Sequence, residues 1–476
     1  VSDLWSWSAS RLATAIAAGD ITSVEATTSA LARMDAANPT INAVVDPMPD
    51  EALEAARAAD QARSQGRTLG PLHGVPLTIK INVDYAGRAT TNGVVAYKDL
   101  IADQDGSVVR NLKASGAVII GRTNTPCFSM RAFTNNDLHG ATRNPHDARL
   151  TPGGSSGGAG AAVAVGIGAV AHGNDIGGSV RYPAYCNGVY GLRPTLGLAP
   201  AFSGTAPERK IVSQLSAVQG PLARTVEDIR LSMEALCGYD PREVMQVPAG
   251  RLFDPLTGAP CRVAMLAETA ECPADTEVSA AIRQAGAMLR DGGYEVVETP
   301  PPSFQELVEY WHLILGNEMR AGLGPLMETH GDSKMKAALA LLLEDVPDLS
   351  DRDSFLAEFA RRSTLLRQWQ VFFQEYPLVL TATNWAKPYV DDYDVSPGAD
   401  GDWFRRTCAP MTGTPIIGLP GISVPVGTRP GAPMGVQLLA NRFGDRLLLE
   451  AAAVLERAMG PIAPFDPIPQ AESEPA

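Results

Sequence analysis

Cysteine and histidine are both scarce in this chain, with six of each among 476 residues. No two cysteines form a CxxC pair and none lies with histidine at zinc spacing, so neither a disulfide framework nor a structural metal organises the fold. The expectation is a reduced, cytoplasmic setting with no metal and no cofactor. Basic residues are outnumbered, 39 Lys+Arg against 53 Asp+Glu, and the formal net charge of −14 argues against nucleic acid or an anionic membrane as a partner. There is no uninterrupted apolar run of about 18 residues and no basic-then-apolar leader, so neither a membrane span nor export is expected from the sequence as given. With 45% hydrophobic and 19% charged residues the composition is that of an ordinary globular protein.

Glycine and serine are concentrated in one stretch, Thr151–Ala184, which reads TPGGSSGGAGAAVAVGIGAVAHGNDIGGSVRYPA. A flexible linker is the plain reading of such composition. The Ala/Val run from Ala159 to Ala171 opposes it, because so apolar a segment has to be buried. What remains is two glycine-flanked serine sites, Ser155/Ser156 and Ser179, separated by a small-residue helix. Glycines there let backbone N–H groups approach a substrate closely.

The flanking chain alternates elements. Residues 1–70 read as helices, with Thr22 and Glu25 at capping-box spacing and a second helix from Asp50 to Ser64. Leu72–Val83 reads as a strand containing Lys80, which from the strand alone is better taken as a solvated gatekeeper at a sheet edge than as a buried group. A helix near Gly106–Ala114 and a strand at Ala117–Gly121 continue a layered α/β pattern, and residues 122–150 form a long loop rich in Asn, Thr and Gly. Helices at Arg224–Leu236 and Asp275–Arg290 and strands at Val263–Leu266 and Tyr294–Glu298 follow. Residues 303–376 are helical in pattern, a cover or small subdomain. Strands return at Leu378–Thr381, Ile422–Val426 and Met434–Ala440, then a helix at Arg446–Met459 and a Pro/Glu-rich tail expected to fray. The organisation expected is 1–70 helical, 71–302 core, 303–376 insertion, 377–460 return to the sheet and 461–476 tail.

GGSSGG contains two GxSxG matches, around Ser155 and Ser156, the signature of a nucleophile elbow in an α/β-hydrolase esterase. That fold draws its base from a late histidine, and the histidines after the cluster are His172, His312 and His330, with none beyond residue 330. A phosphate loop would need the Gly-Lys-Ser/Thr that is missing here. A serine hydrolase without histidine still needs a proton acceptor, and a neutral lysine serves. Lys80, carried on an apolar strand into a dry site with no carboxylate nearby, is the candidate; desolvation lowers a lysine pKa toward working pH.

These residues resemble the amidase signature family of serine hydrolases, whose pattern is GGSSGG followed by GxDxGGSxRxPA. Here Gly153–Gly158 and Gly173–Ala184 carry it, with Gly74-Val75-Pro76, Ile79-Lys80, Thr123-Asn124, Asn144-Pro145, Gly191–Thr195, Gly220–Asp228 and Gly418–Gly427 matching further segments. Lys80 and Ser155 are 75 residues apart and Ser155 and Ser179 are 24 apart, as in the family. The resemblance implies an α/β fold, a large twisted mixed sheet covered by helices on both faces, with a helical insertion. It implies amide hydrolysis through a seryl acyl-enzyme: Ser179 the nucleophile, Ser155 the bridging serine on a cis Gly154–Ser155 peptide, Lys80 the base. The amides of Ile176, Gly177, Gly178 and Ser179 would form the oxyanion hole, and Asp175 and Arg181 would fix that loop. Ser156 is expected to hydrogen-bond within its turn. The substrate would be a small-molecule amide, and a homodimer is left open.

The chain also departs from the pattern. Family members often have Asp after the lysine, where Ile81 and then Asn82 stand, and Asn before the late glycine segment, where Pro415 stands. The amidase subunits of glutamine-dependent tRNA amidotransferases share the triad, but they carry Asp where Cys408 stands and tend to carry Glu where Asn135 stands. A catalytically dead binding protein on the same scaffold is a third reading, opposed by the presence of all three triad residues. The resemblance puts the acyl pocket near Ser129, Met130 and Asn136, walled by residues 303–376 and the Trp385 and Trp403 region. Met130, Phe128 and Trp311 suggest an apolar or aryl acyl group, with ordinary core packing as the plain alternative.

Overall fold

Every residue of the strand Pro76–Lys80 is buried in the computed structural model, which describes residues 3–256, 260–429 and 432–469. A strand covered on both faces has no need of apolar–polar alternation, and this one has little. It is β2 of a mixed sheet with eleven strands among the described residues. The others are β1 (Val44–Pro47), β3 (Val118–Thr123), β4 (Val170–Asp175), β5 (Tyr190–Arg193), β6 (Val218–Ala223), β7 (Arg262–Met265), β8 (Glu295–Glu298), β9 (Leu378–Thr381), β10 (Gly421–Arg429) and β11 (Ala432–Ala440). Their order across the sheet is β1-β3-β2-β4-β6-β5-β10-β11-β9-β7-β8. β2 runs parallel to β3 and β4, and β7 parallel to β8 and β9, while the central strands from β4 to β9 pair antiparallel.

Two helical layers cover the sheet. Helices Gly157–Ala164 and Arg181–Asn187 pack on each other and on the central strands; helices Val226–Leu236, Thr276–Asp291 and Asp445–Met459 form the second layer. The first layer sits close because its residues are small. All eight residues of Gly157–Ala164 are buried, and a Cβ at Gly158 would lie 2.6 Å from the Asn124 nitrogen and 2.7 Å from the Ala43 carbonyl oxygen. The Gly/Ser stretch is therefore core, not linker.

The capping box at Thr22 and Glu25 forms as the spacing predicts, each side chain meeting the other's backbone N–H. Residues 1–70 are not wholly helical: β1 lies among them and pairs antiparallel with β3. One apolar core runs from Leu4 to Leu455, so the expected divisions at 70, 302 and 376 are changes of element type around a shared sheet. Residues 303–376 form four helices, Phe304–Ala321, Gly324–His330, Ser333–Leu343 and Arg352–Glu375, with a core of their own around Leu307, Leu315, Leu365 and Trp369 that meets the sheet at Ala264, Val379 and Leu439. β4, β5 and β6 were absent from the sequence reading because glycine and small residues hide the strand periodicity in AHGND, YGLR and QGPLA.

The tail also differs from expectation. Arg33 donates to the Phe465 carbonyl and pairs with Asp466, the Phe465 ring lies 4.4 Å from that of His146, and the Ile468 amide reaches the Pro145 carbonyl. Residues 461–469 are thus docked, because a buried arginine needs the acceptors they bring; residues 470–476 lie outside the described residues.

Candidate active site

Lys80 stands at the end of β2, between β3 and β4, and is completely buried. The strand is internal, as a base in a dry site requires and not as the strand alone suggests. Its Nζ lies 2.7 Å from Ser155 Oγ, 3.1 Å from Ser156 Oγ and 2.8 Å from Asn174 Oδ1. Burial holds the Lys80 pKa well below that of an ordinary lysine, with the Asp175 charge acting weakly in the opposite direction. An amine so placed gives up its proton more readily than an ordinary lysine.

Ser155 follows a cis Gly154–Ser155 peptide, as the resemblance implies. Ser156 does more than close a turn. Its hydroxyl meets Lys80, and its amide donates to the Ser179 carbonyl at 3.2 Å, tying the first serine cluster to the second.

Ser179 lies at the end of a loop leaving β4, and all four carbonyls of that loop are hydrogen-bonded. Asp175 O accepts from Arg193 at 2.6 Å, Ile176 O from the Trp311 indole at 3.0 Å, Gly177 O from Thr412 Oγ1 at 3.1 Å and Gly178 O from the Tyr182 amide at 2.7 Å. A planar peptide whose carbonyl is held one way has its N–H held the other way. The Gly178 amide is itself committed to Asp175 Oδ1 at 2.9 Å. Of the four amides expected to face an oxyanion, those of Ile176, Gly177 and Ser179 have no protein acceptor among the described residues. Gly178 adopts φ +106°, a conformation that L side chains rarely take, and this turns the chain into Ser179.

Asp175 and Arg181 form the expected pair, with contacts of 3.0 and 3.1 Å, and both are buried. Arg193 completes the group. Burial alone would raise the Asp175 pKa, but the two guanidiniums and the Gly178 amide hold it at about 2. The carboxylate is occupied by its loop and is no partner for the amine.

Beside Ser179 opens a cavity of about 330 Å³ whose wall includes Met130, Trp311, Met335, Leu342, Phe404 and Met411. Residues 303–376 supply much of it, as expected. Ser129 and Met130 line it, but Asn136 does not: its side chain turns inward to Asn124, to the Thr125 carbonyl and to the amides of Leu138 and His139, holding the long loop together. Trp385 and Trp403 do not line it either; Trp403 packs edge-on to Tyr389 and Tyr393, and helix Gly401–Thr412 reaches the cavity through Phe404, Arg405 and Met411. Phe128 packs against Tyr97.

The elbow reading finds no base. His172 is bonded to Gln219, and burial lowers its pKa to about 4; no histidine bonds to Ser155, Ser156 or Ser179 among the described residues. Cys408 is buried beside Asn384 and Tyr389, and Asn135 binds Arg131 and Asp392, so neither position discussed for the amidotransferase subunits lines the cavity. The sequence reading missed Asn174, Arg193 and Thr412. Asn174 had a signal, a second polar residue directly before Asp175; Arg193 and Thr412 are distant in sequence and had none.

Comparison with known proteins bears on the chain as a whole. The family model described as Amidase matches residues 25–449. The chain is 45% identical to an indoleacetamide hydrolase of Bradyrhizobium diazoefficiens over 97% of its own length and 88% of that protein's. It is 32% identical to a glutamyl-tRNA(Gln) amidotransferase subunit of Moorella thermoacetica, covering 92% and 94%. Among solved structures it is similar to a bacterial aryl acylamidase of the amidase signature family, with a TM-score of 0.81 at 27% identity covering 95% and 96% of the two chains.

Proposed function

The chain belongs to the amidase signature family and hydrolyses an amide C–N bond, and on that premise we propose that it cleaves a primary aryl-acetamide through Ser179, Ser155 and Lys80. The observation that carries the chemistry is the buried amine 2.7 Å from Ser155 Oγ, with its pKa lowered by burial and no carboxylate bound to it among the described residues.

Neutral Lys80 accepts the Ser155 proton while Ser155 takes that of Ser179. The Ser179 Oγ–carbon bond forms, and the amides of Ile176, Gly177 and Ser179 receive the charge that develops on the carbonyl oxygen. The proton returns through Ser155 to the amide nitrogen, the C–N bond breaks and ammonia leaves. Water then adds to the acyl carbon, giving its proton to the same relay, and the acyl–oxygen bond breaks to release the carboxylate and restore Ser179.

Two features support the aryl-acetamide class. The wall of the cavity beside Ser179 includes methionines, leucines and the rings of Trp311 and Phe404, surfaces suited to a flat apolar group, along with charged residues such as Arg131, Arg405, Asp394 and Asp402. The relative matched over 97% of this chain is an indoleacetamide hydrolase. Buried Cys408 weighs against a glutamine-handling subunit. The test is release of ammonia from indole-3-acetamide, compared with glutamine and acetamide, by wild type and Ser179→Ala. Preference for the aryl substrate, lost in the variant, is expected; preference for glutamine would overturn the reading.

A further inference from the structure

The amine of Lys80 is held by a chain of neutral side chains leading away from the serines. Asn174 Oδ1 accepts from Nζ, Asn174 Nδ2 donates to Asn82 Oδ1 at 3.0 Å, Asn82 Nδ2 donates to Ser129 Oγ at 3.0 Å, and Ser129 Oγ donates to Asn92 Oδ1 at 2.6 Å. Thr125 Oγ1, 2.7 Å from Ser129 Oγ, is placed to donate to it. Turning the Asn174 amide by half a rotation would set its NH₂ against the amine and its oxygen against that of Asn82. That would lose the Asn174–Asn82 contact unless Asn82 turned as well, and in the arrangement observed the chain runs outward from the amine to Asn92.

That direction decides what the amine can do. A neutral amine has two N–H bonds and one lone pair. Asn174 Oδ1 can only accept, so it takes one N–H. Ser156 Oγ takes the other and can direct its own proton to the Asn174 carbonyl, 3.5 Å away. The lone pair is left facing Ser155.

We propose that Asn174 and Asn82 are positioning residues that aim the Lys80 lone pair at Ser155 through a chain that carries no charge. A carboxylate in the place of either amide would hold the amine equally well but would favour its protonated form. Here the residue after Lys80 is Ile81, itself buried, and none of Asn174, Asn82, Ser129, Asn92 and Thr125 ionises in the working range. The charged and titratable groups on the neighbouring strands are engaged elsewhere: Asp175 with Arg181 and Arg193, His172 with Gln219, and Arg122 of β3 with Asp46. The chain also passes through Ser129, which touches the acyl cavity, so the base and the pocket share one hydrogen-bonded line.

The inference rests on Lys80 being the base. Its test is the rate at which a fluorophosphonate labels Ser179, followed against pH in wild type, Asn174→Asp and Asn82→Asp. This reaction forms the Oγ–phosphorus bond, releases fluoride and passes the Ser179 proton to Lys80, and it does not depend on which amide is the substrate. The acid limb of the profile reports the pKa of the base in the free enzyme. Asn174→Asp is expected to move that limb up by about one to three pH units and to recover the wild-type rate above it. Asn82→Asp, one residue further along, should move it in the same direction by less. A limb that stays in place in both variants, with the rate reduced equally at every pH, would overturn the proposal. If Asn174→Asp does not fold, judged by its thermal melt, Asn82→Asp decides on the same criterion. A wild-type profile with no acid limb, or Lys80→Ala labelled at the wild-type rate, would remove Lys80 as base and the inference with it.

Discussion

Trp311 donates its indole N–H to the carbonyl of Ile176 at 3.0 Å, so that a residue of the helical cover holds the loop carrying Ser179. The same indole forms part of the acyl cavity wall, and a Cβ on Gly177 would come within 2.9 Å of it. Trp311→Phe keeps the aromatic surface and removes only the donor. The expected outcome is a fall in kcat of about tenfold with KM little changed, since one hydrogen bond of net worth about 1–1.5 kcal/mol is lost from the loop that receives the oxyanion. Steady-state kinetics on one amide would check it.

The lowered Lys80 pKa has a sign that can be tested in stability. Unfolded, Lys80 binds its proton up to about pH 10.4; folded, burial makes it release that proton well below this. Between the two values the unfolded state binds more protons, so Lys80 makes stability rise with pH, by up to about 1.4 kcal/mol per pH unit. The unfolding free energy of wild type minus that of Lys80→Met should therefore climb across this window and level off above it. Urea titrations at several pH values measure the difference, and activity should rise with pH over the same acid limb while Lys80→Ala loses most of it.

Asp175→Asn leaves Arg181 and Arg193 buried without their shared counter-charge. A loss of about 3–5 kcal/mol is expected from breaking a buried ion group by removing one partner. Denaturant unfolding should show it, with Arg181→Met, which removes one of the two guanidiniums and keeps Asp175 paired to Arg193, costing less.

The candidate site was more legible than the frame around it. Lys80, Ser155 and Ser179 stand in short local patterns, and the scarcity of histidine removes the usual alternative base. What escaped the sequence depended on pairings across it. β4, β5 and β6 contain too much glycine to show a period, and Arg193 reaches Asp175 only once β5 and β4 lie on either side of β6. Lys80 shows how the two meet: its strand alone reads as an edge, the need for a base without histidine puts it in a dry site, and β2 lies between β3 and β4. Asn136 erred in the other direction, polar and near the pocket in sequence yet consumed by its own loop.

Met335, on helix Ser333–Leu343, lines the cavity. Met335→Trp should cut kcat/KM for indole-3-acetamide by at least about tenfold while changing that for acetamide less than about threefold, because filling the pocket removes room for the ring and not for the carbonyl. Parallel kinetics on the two amides would distinguish this from a general loss.

Removal of the chain from Pro461 onward takes Phe465 from His146 and two acceptors from Arg33. A decrease of about 2 kcal/mol in unfolding free energy is expected from those lost contacts. Kinetic constants should be nearly unchanged, since none of the residues involved borders the cavity.

The sheet bears Lys80 and the strand that leads to Ser179, whereas the helices of residues 303–376 bear much of the wall of the cavity beside it. New substrates can therefore be acquired by changing side chains at Met335, Leu339 or Leu342 while the reacting atoms stay where they are. Trp311 is the exception, because it belongs to both parts. Exchanging this tryptophan changes the cavity wall and the support of the Ser179 loop together, whereas exchanges elsewhere along the cover change the wall alone.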